Sequence, residues 1–563
     1  MDLLEDARGQ SVQVGAILLF GIVVLFLAMY QANAVPAQNE RIEYNAYLHT
    51  TSDVEGLRTD VHAAAARDVS TGTTVRTGAS YPARVVFVNP GPPGNRLRMR
   101  EAGTLRIANA SAVNGEAANT RAFWDGNRTH AYDTNAIRFD TDYNELRAPS
   151  IVYGPGVIYR PANDSVSGPL SPDEAIMLSD QSLVEGDRIT LVSVAGDLDA
   201  GGYDTTVVSR PVSAHVRTVV ITGNDSENVT LTVPTRLADE TWNGLLETER
   251  ASGTVLDVRQ NGTDAVDLVL NGSRSYQLRL AKVEVREQTD EPGVSDTEPQ
   301  YVVGVAGDGA SISSDQKAPL TVEVRDRFNN PKSGVDVRFD ATNGTFVRNG
   351  AGTRTVTTDG EGRASVQFEP DSTGSTTVTA GLDTDGDGSL DDEDALNRTT
   401  FDVSVLDGGA GGSVGGSSDP ATASGDASGV VVLDSSDANP SADEVKLGLN
   451  NTASSELNIT GIRLEYATKF SQNKGVQDGP DAIEQIRVTS DSSSYDESRT
   501  ITATEGQAPS FFQNPLKLES GGSEMSLTLN PGYDLDKDKD ALAISVTIYL
   551  EGGTAAQYSV YLF

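Results

Sequence analysis

From Val12 to Tyr30 the chain carries one strongly polar residue, Gln13, and no charge. At 1.5 Å per residue a helix over that run is ~28 Å long, about the thickness of a bilayer's hydrocarbon core. A cleaved secretory signal has a shorter apolar region, about 7–15 residues, followed by a small-x-small site. Ala32-Asn33-Ala34 is a poor version of such a site. Residues 10–30 are therefore expected to remain as a transmembrane helix. A helical stalk, residues 31–72, is expected to follow. Val54, Leu57, Val61 and Ala64 recur there at steps of three and four, the period of one helix face. Pro36 predicts a kink or break, and Ser52 with Glu55 predicts a capping box that restarts the helix.

From about Thr73 the period changes to two, which predicts strands. The runs "ARVVFVNPGPPGN", "RITLVSVAGDL", "RTVVITGND" and "SYQLRLAKVEV" alternate or run apolar and end in turn residues. One helical insert, "TRLADETWNGLLETE", sets Leu237, Trp242, Leu245 and Leu246 near one face. Residues 73–290 read as a mostly β domain beside the stalk, and 291–315 as an acidic, proline-containing linker. Residues 316–405 alternate strictly at Val322/Val324, Val335/Val337/Phe339, Ala364/Val366/Phe368 and Val378/Ala380, which predicts a sandwich. A Gly/Ser linker covers 406–428, and 429–563 returns to strands of a C-terminal β-sandwich. The fold class is mostly β: an N-terminal transmembrane helix and helical extension followed by serial β-sandwich, Ig-like domains.

Charge changes the picture most. The 563 residues hold 81 acids against 43 Lys and Arg, a net charge of -38, and no lysine precedes Lys282. The acids are spread through alternating strands rather than blocked in a tail, which argues against a disordered acidic chain. Dispersed acidity with few lysines resembles the proteins of extreme halophiles, where salt screens self-repulsion. No basic stripe exists to release counterions, so nucleic acid is disfavoured as a partner. The absence of cysteine excludes disulfides, thiolate catalysis and thiolate metal sites.

Two stretches resemble known families. "RGQSVQVGAILL" resembles an archaeal type IV pilin-like leader, which implies cleavage between Gly9 and Gln10 and a leader of residues 1–9. The usual proline after the serine is replaced by Val12. The following "VPAQNERIEYN", "YPARVVFVNPGPP" and "YQLRLAKVEV" resemble haloarchaeal surface proteins with the same start, so that 73–290 would be a pilin-like domain. "VEVRDRFNNPKSGVDVRF" and "TTDGEGRASVQF" resemble the invasin/intimin-type bacterial Ig-like domain, with Asp326, Pro331, Gly334, Asp359 and Gly362 at its turns. That family implies a surface stalk or adhesion module without catalytic residues.

The strongest chemical motif is "DTDGDGSLDDED". Asp383, Asp385 and Asp387 stand at positions 1, 3 and 5 of a twelve-residue calcium loop, Gly388 at the turn, Asp391 at 9 and Asp394 at 12. Ca²⁺ needs six to eight hard oxygens, and this spacing wraps carboxylates around one ion. Aspartate at position 12 resembles dockerin-type loops. A structural Ca²⁺ site in a strand-flanked loop is expected, against the alternative of a solvated acidic turn. "GGSVG" lies in a flexible linker and lacks the strand and helix a nucleophile elbow needs. His49, His62, His130 and His215 show no ligand spacing. N-x-Ser/Thr acceptors for glycosylation begin at Asn109, Asn127, Asn163, Asn224, Asn228, Asn261, Asn271, Asn343, Asn397, Asn450 and Asn458.

These features predict a non-enzymatic, single-pass membrane protein with its bulk outside the cell. It would act as a structural stalk or adhesin, pilus-associated through its start. Its expected partners are the membrane, pilin-like subunits, and cell-surface glycans or proteins. The alternative is an anchored extracellular hydrolase with a carbohydrate-binding sandwich, and a concave pocket of converging carboxylates would favour it.

Overall fold

The structure, a computed structural model, describes residues 7–406 apart from 86, 164, 166–167, 225–226, 315–316, 383–389 and 391–394. Beyond 406 it describes the strands between 430 and 562 together with residues 455, 456 and 551. The chain is mostly β behind one long N-terminal helix, with pairs of sheets in series.

Helix α1, Ala7–Met29, passes through a π-turn, Tyr30–Ala34, into α2, Val35–Arg67. Pro36 does not break it. Proline lacks an N–H and its ring collides with the carbonyl four residues back. The π-turn relieves that collision, because the Val35 N–H reaches five residues back to the Tyr30 carbonyl. Nor does the helix restart at Ser52, since α2 runs through Ser52 and Glu55 without interruption. The reason is packing. Asn39, Glu43, Tyr47, Thr50, Val54, Leu57, Val61 and Ala64 form one buried stripe, and a continuous buried face carries the helix past a local capping signal.

The first β unit packs on that stripe. One sheet orders strands Thr71–Arg76, Asp204–Ser213, Tyr276–Glu287, Val219–Gly223 and Ala110–Ala112, with Arg188–Ala195 parallel to Tyr276–Glu287. Its Val75, Val207, Val283 and Val285 meet Leu57, Val61 and Ala64 in a shared core. The second sheet centres on the antiparallel pair Arg96–Ala108 and His130–Asp140. The helical insert forms as two short helices, Asp239–Leu245 and Glu247–Ala251, burying Leu237, Trp242 and Leu246.

Two expectations fail here. The described residues of "ARVVFV", 83–85, 87 and 88, form no strand, and the Val88 backbone bonds to Gln31 of the helix instead of to a sheet. The segment 291–315 is not merely a linker. Strand Pro299–Ala306 pairs with Ala318–Asp326, and Ser311–Ser313 pairs in parallel with Arg398–Leu406, so the Ig-like sandwich begins before 316. Its apolar residues Tyr301, Val302 and Val303 are buried, which the acidic, proline-bearing start of the segment concealed.

In the Ig-like unit a four-stranded and a five-stranded sheet enclose Phe339, Phe346, Phe368 and Phe401. The C-terminal strands form two further sheets, with Leu457–Ser471 paired along Asp540–Leu550.

Leu57 is fully buried and Leu48 is 45% exposed on the same helix. Leu57→Ala is expected to cost about 2–5 kcal/mol of unfolding free energy, and Leu48→Ala under about 0.5 kcal/mol. Denaturant unfolding of the two variants measures the difference.

Candidate functional site

Strand Ala318–Asp326 is buried at every position. Val322 and Val324 face the sandwich core. The alternate face carries Thr321, Glu323 and Arg325, which the period of two assigns to solvent, but the first β unit covers it. A buried charge needs partners, and this one has them. Arg217 of the first unit donates to Glu323 at 2.7 Å, Arg325 donates to its other oxygen at 2.7 Å, and Arg363 lies 3.8 Å away. Burial opposes the charge of Glu323, but the three guanidiniums overcome it and hold the carboxyl down at about 2.

The next turn, Asp326–Asn330, deepens the joint. The Asp326 carboxylate accepts the N–H groups of Phe328 and Asn330 and the hydroxyl of Thr297. Asn330 donates to Ser213 Oγ at 2.8 Å and to the Leu280 carbonyl at 3.0 Å, both in the first unit. Asn329 adopts φ 63 and accepts from Tyr301 Oη at 2.5 Å. Tyr132 donates to the Arg327 carbonyl and packs its ring, tilted, 4.8 Å from that of Phe328.

The short helix Ala118–Phe123 is the other half of the joint. Asn119 donates to the carbonyls of Val302 at 2.6 Å and Arg398 at 2.8 Å, Thr120 accepts from Arg325, and Phe123 stacks on Tyr301 at 4.9 Å. Just before it, Glu116 forms a bidentate pair with Arg463 of the C-terminal sandwich, at 2.7 and 2.9 Å, and accepts the Val220 N–H. Burial works against Glu116, yet Arg463 and these hydrogen bonds hold its carboxyl below the usual range. Residues 113–123 of the first unit thus tie down both later units.

The stalk has its own buried carboxylate. Glu43 of α2 accepts the N–H groups of Asn144, Glu145 and Leu146 and the hydroxyl of Tyr81. His62 on α2 is held down at about 4 by burial, with Arg58 and Arg279 adding to it. Burial likewise pushes His130 down to about 4, packed 4.0 Å from the Trp124 ring.

The sequence-predicted sites lie elsewhere. Asp383, Asp385, Asp387, Asp391 and Asp394 fall outside the described residues. Their flanking strands, Gly374–Leu382 and Arg398–Leu406, pair antiparallel from Gly381↔Arg398 onward, so the acidic loop closes a hairpin. Gly9 and Gln10 lie in α1. Among the sequons, Asn127, Asn163, Asn228, Asn261 and Asn343 are exposed, and Asn109, Asn224, Asn271, Asn397 and Asn458 are half-buried. The side chain of Asn450 is outside the described residues. Asn109, Asn127, Asn224 and Asn228 meet at one corner, where Asn109 donates to the Asn228 carbonyl and Asn224 to Asn127 Oδ1, each at 3.4 Å. An open groove of about 560 Å³ is edged by Asp180, Glu185, Glu240 and Glu247, all exposed.

Two buried histidines and the Glu323 carboxylate make stability acid-sensitive in two stages. Unfolding releases His62 and His130 from about 4 to the ordinary 6.5. Their contribution is therefore full above 6.5 and falls as pH drops toward 4. Glu323, at about 2 against an ordinary 4.5, contributes fully above 4.5 and loses that contribution between 4.5 and 2. Glu323→Ala removes the carboxylate shared by three buried arginines and is expected to cost about 3–5 kcal/mol. Unfolding free energy against pH at constant ionic strength, for wild type and variant, checks both the window and the cost.

Residues 304–392 match the bacterial Ig-like domain (group 1). An uncharacterized protein of Archaeoglobus fulgidus is 20% identical over 416 residues, 72% of this chain and 65% of that protein. The chain thus spans a little under two thirds of that relative's length. Among solved structures, the Yersinia pseudotuberculosis adhesin InvE is 14% identical, with a TM-score of 0.15, over 46% of this chain and 58% of the other. Invasin, a bacterial integrin-binding protein, is 11% identical, with a TM-score of 0.19, over 83% and 60%. The D00-D0 domain of intimin is 16% identical, with a TM-score of 0.17, over 28% and 82%. The sandwich that supplies Glu323 and Arg325 is, by its own sequence, a bacterial Ig-like domain.

Proposed function

We propose that the chain is a membrane-anchored extracellular surface protein that acts as a structural stalk or adhesin, pilus-associated through its pilin-like start. The observation that carries this reading is the single helix. Val14–Met29 is exposed and apolar, with Phe20 at 71%, and the same helix continues into a stripe buried in the first β unit. A helix that is apolar all round needs lipid or protein about it, and one embedded in a folded unit transmits its position to that unit. The buried charge pairs at Glu323 and Glu116 then couple the remaining units to it. Coupled sandwiches suit projection from a surface, and cell-surface glycans or proteins are the partners they would meet. The exposed sequons fit N-glycosylation outside the cell, and the net charge of -38 fits a high-salt medium.

The full chain is expected in the membrane fraction, with a mature N-terminus at Gln10 and everything from Asn33 onward open to external protease. Mass spectrometry of the native N-terminus, with fractionation into membrane and filament, tests this. A start beyond Ala34 or a soluble product overturns it. A retained Met1 removes the pilin analogy and leaves the anchor.

Ca²⁺ at Asp383, Asp385, Asp387, Asp391 and Asp394 would replace carboxylate repulsion with coordination and brace the hairpin of the Ig-like unit. Binding to the folded state alone at 100 times its Kd adds about 2.7 kcal/mol. Thermal unfolding of the full chain at fixed high ionic strength is expected to shift upward with Ca²⁺. The Asp383→Ala/Asp387→Ala variant is expected to lose the shift.

A further inference from the structure

The loop that replaces the expected strand at 83–88 poses a question of its own. Val85 is 102% exposed and Val88 75%, more than the exposed large apolar side chains described in the helix, of which Phe20 is highest at 71%. A mobile loop would be the ordinary host for such residues, but this one is fastened. The Gln31 carboxamide donates to the Val88 carbonyl at 2.9 Å and accepts its N–H at 3.2 Å. The Phe87 ring lies 4.7 Å from Tyr30. Arg84 donates to Gln38, Asn39 and Asn89 at 3.0, 3.1 and 2.7 Å. Every tether on the helix lies between Tyr30 and Asn39, where the uncharged apolar run ends and the polar stalk begins.

We infer that this loop is a second membrane contact, with Val85 and Val88 seated in the interfacial layer of the bilayer beside the emerging helix. The inference rests on the anchor reading above. Two valines held rigidly in water leave apolar surface wet at about 25 cal/mol per Å², and the bilayer removes that cost. The partner is lipid because the loop is continuous with the exposed apolar surface of α1 and meets it at an aromatic pair, Tyr30 and Phe87. Aromatic side chains collect at that depth. A single helix leaves the attached unit free to tilt and rotate. A second contact to one side of it sets how the attached unit stands on the surface.

The chain has no cysteine, so single labels are unambiguous. Val85→Cys, Leu19→Cys and Thr373→Cys in the full chain would each carry an environment-sensitive fluorophore. They would be reconstituted in phosphatidylcholine/phosphatidylglycerol vesicles containing lipid spin-labelled near the headgroup or deep in the acyl chain. The expected result at Val85 is a blue-shifted emission quenched most by the headgroup label. Leu19 is expected to be quenched most by the deep label, and Thr373 by neither. A water-like Val85 beside a buried Leu19 overturns the loop contact and leaves the anchor standing. A water-like Leu19 overturns the anchor and the inference with it. A shielded Val85 that lipid labels do not quench assigns the loop to a second copy and also overturns the proposal.

Discussion

A carboxylate removed from water must find cations, and Glu323 finds three. That requirement is met only when the Ig-like sandwich is seated on the first β unit, because Arg217 comes from one side of the joint and Arg325 and Arg363 from the other. Apart from its neighbour, strand Ala318–Asp326 would present Glu323 and Arg325 to solvent at little cost. Joined, it buries them, and a partial separation would draw Arg217 away from Glu323 in a poorly hydrated gap. The Glu116–Arg463 pair repeats the arrangement toward the C-terminal sandwich.

The same logic runs down the stalk. Glu43 is buried on α2, and its acceptors are filled by three successive backbone N–H groups and a tyrosine hydroxyl. The carboxylate holds the loop at Asn144–Leu146 against the helix. Asp53 holds Arg76 at 2.8 Å where the chain returns as the first strand. The helix is thus fastened by polar groups at its outer half and by Leu57, Val61 and Ala64 at its inner half. These contacts turn a long single helix, marginal by itself, into part of a core.

Charge placement separates two populations. Among the described residues most acids are not buried, and salt screens those. Glu43, Glu116 and Glu323 are at most 2% exposed and are screened far less. The joints can hold at ionic strengths that weaken surface pairs, so mechanical coupling between units does not depend on the exposed charge.

Much of this architecture was legible in the sequence because its signals are local. Nineteen residues almost free of polar groups mark the apolar helix, the step of three and four marks Val54 to Ala64, and the period of two marks the strands of the Ig-like unit. The failures share a cause. Alternation in "LTVEVRD" states that Glu323 and Arg325 leave the sandwich core, but it cannot state that another domain waits on that side. The buried stripe of α2 includes Asn39, Glu43 and Thr50, which a search for apolar periodicity passes over. Pro36 and Ser52 carry true local preferences, outweighed by a π-turn and by continuous packing. "ARVVFV" has the composition of a strand, but the backbone of Val88 bonds to Gln31 instead of to a sheet edge. The sequence by itself determined most of the helix and strand segments and where the apolar helix lies. The tertiary structure alone decided which polar faces are buried, because a charge's burial depends on cations contributed from distant parts of the chain.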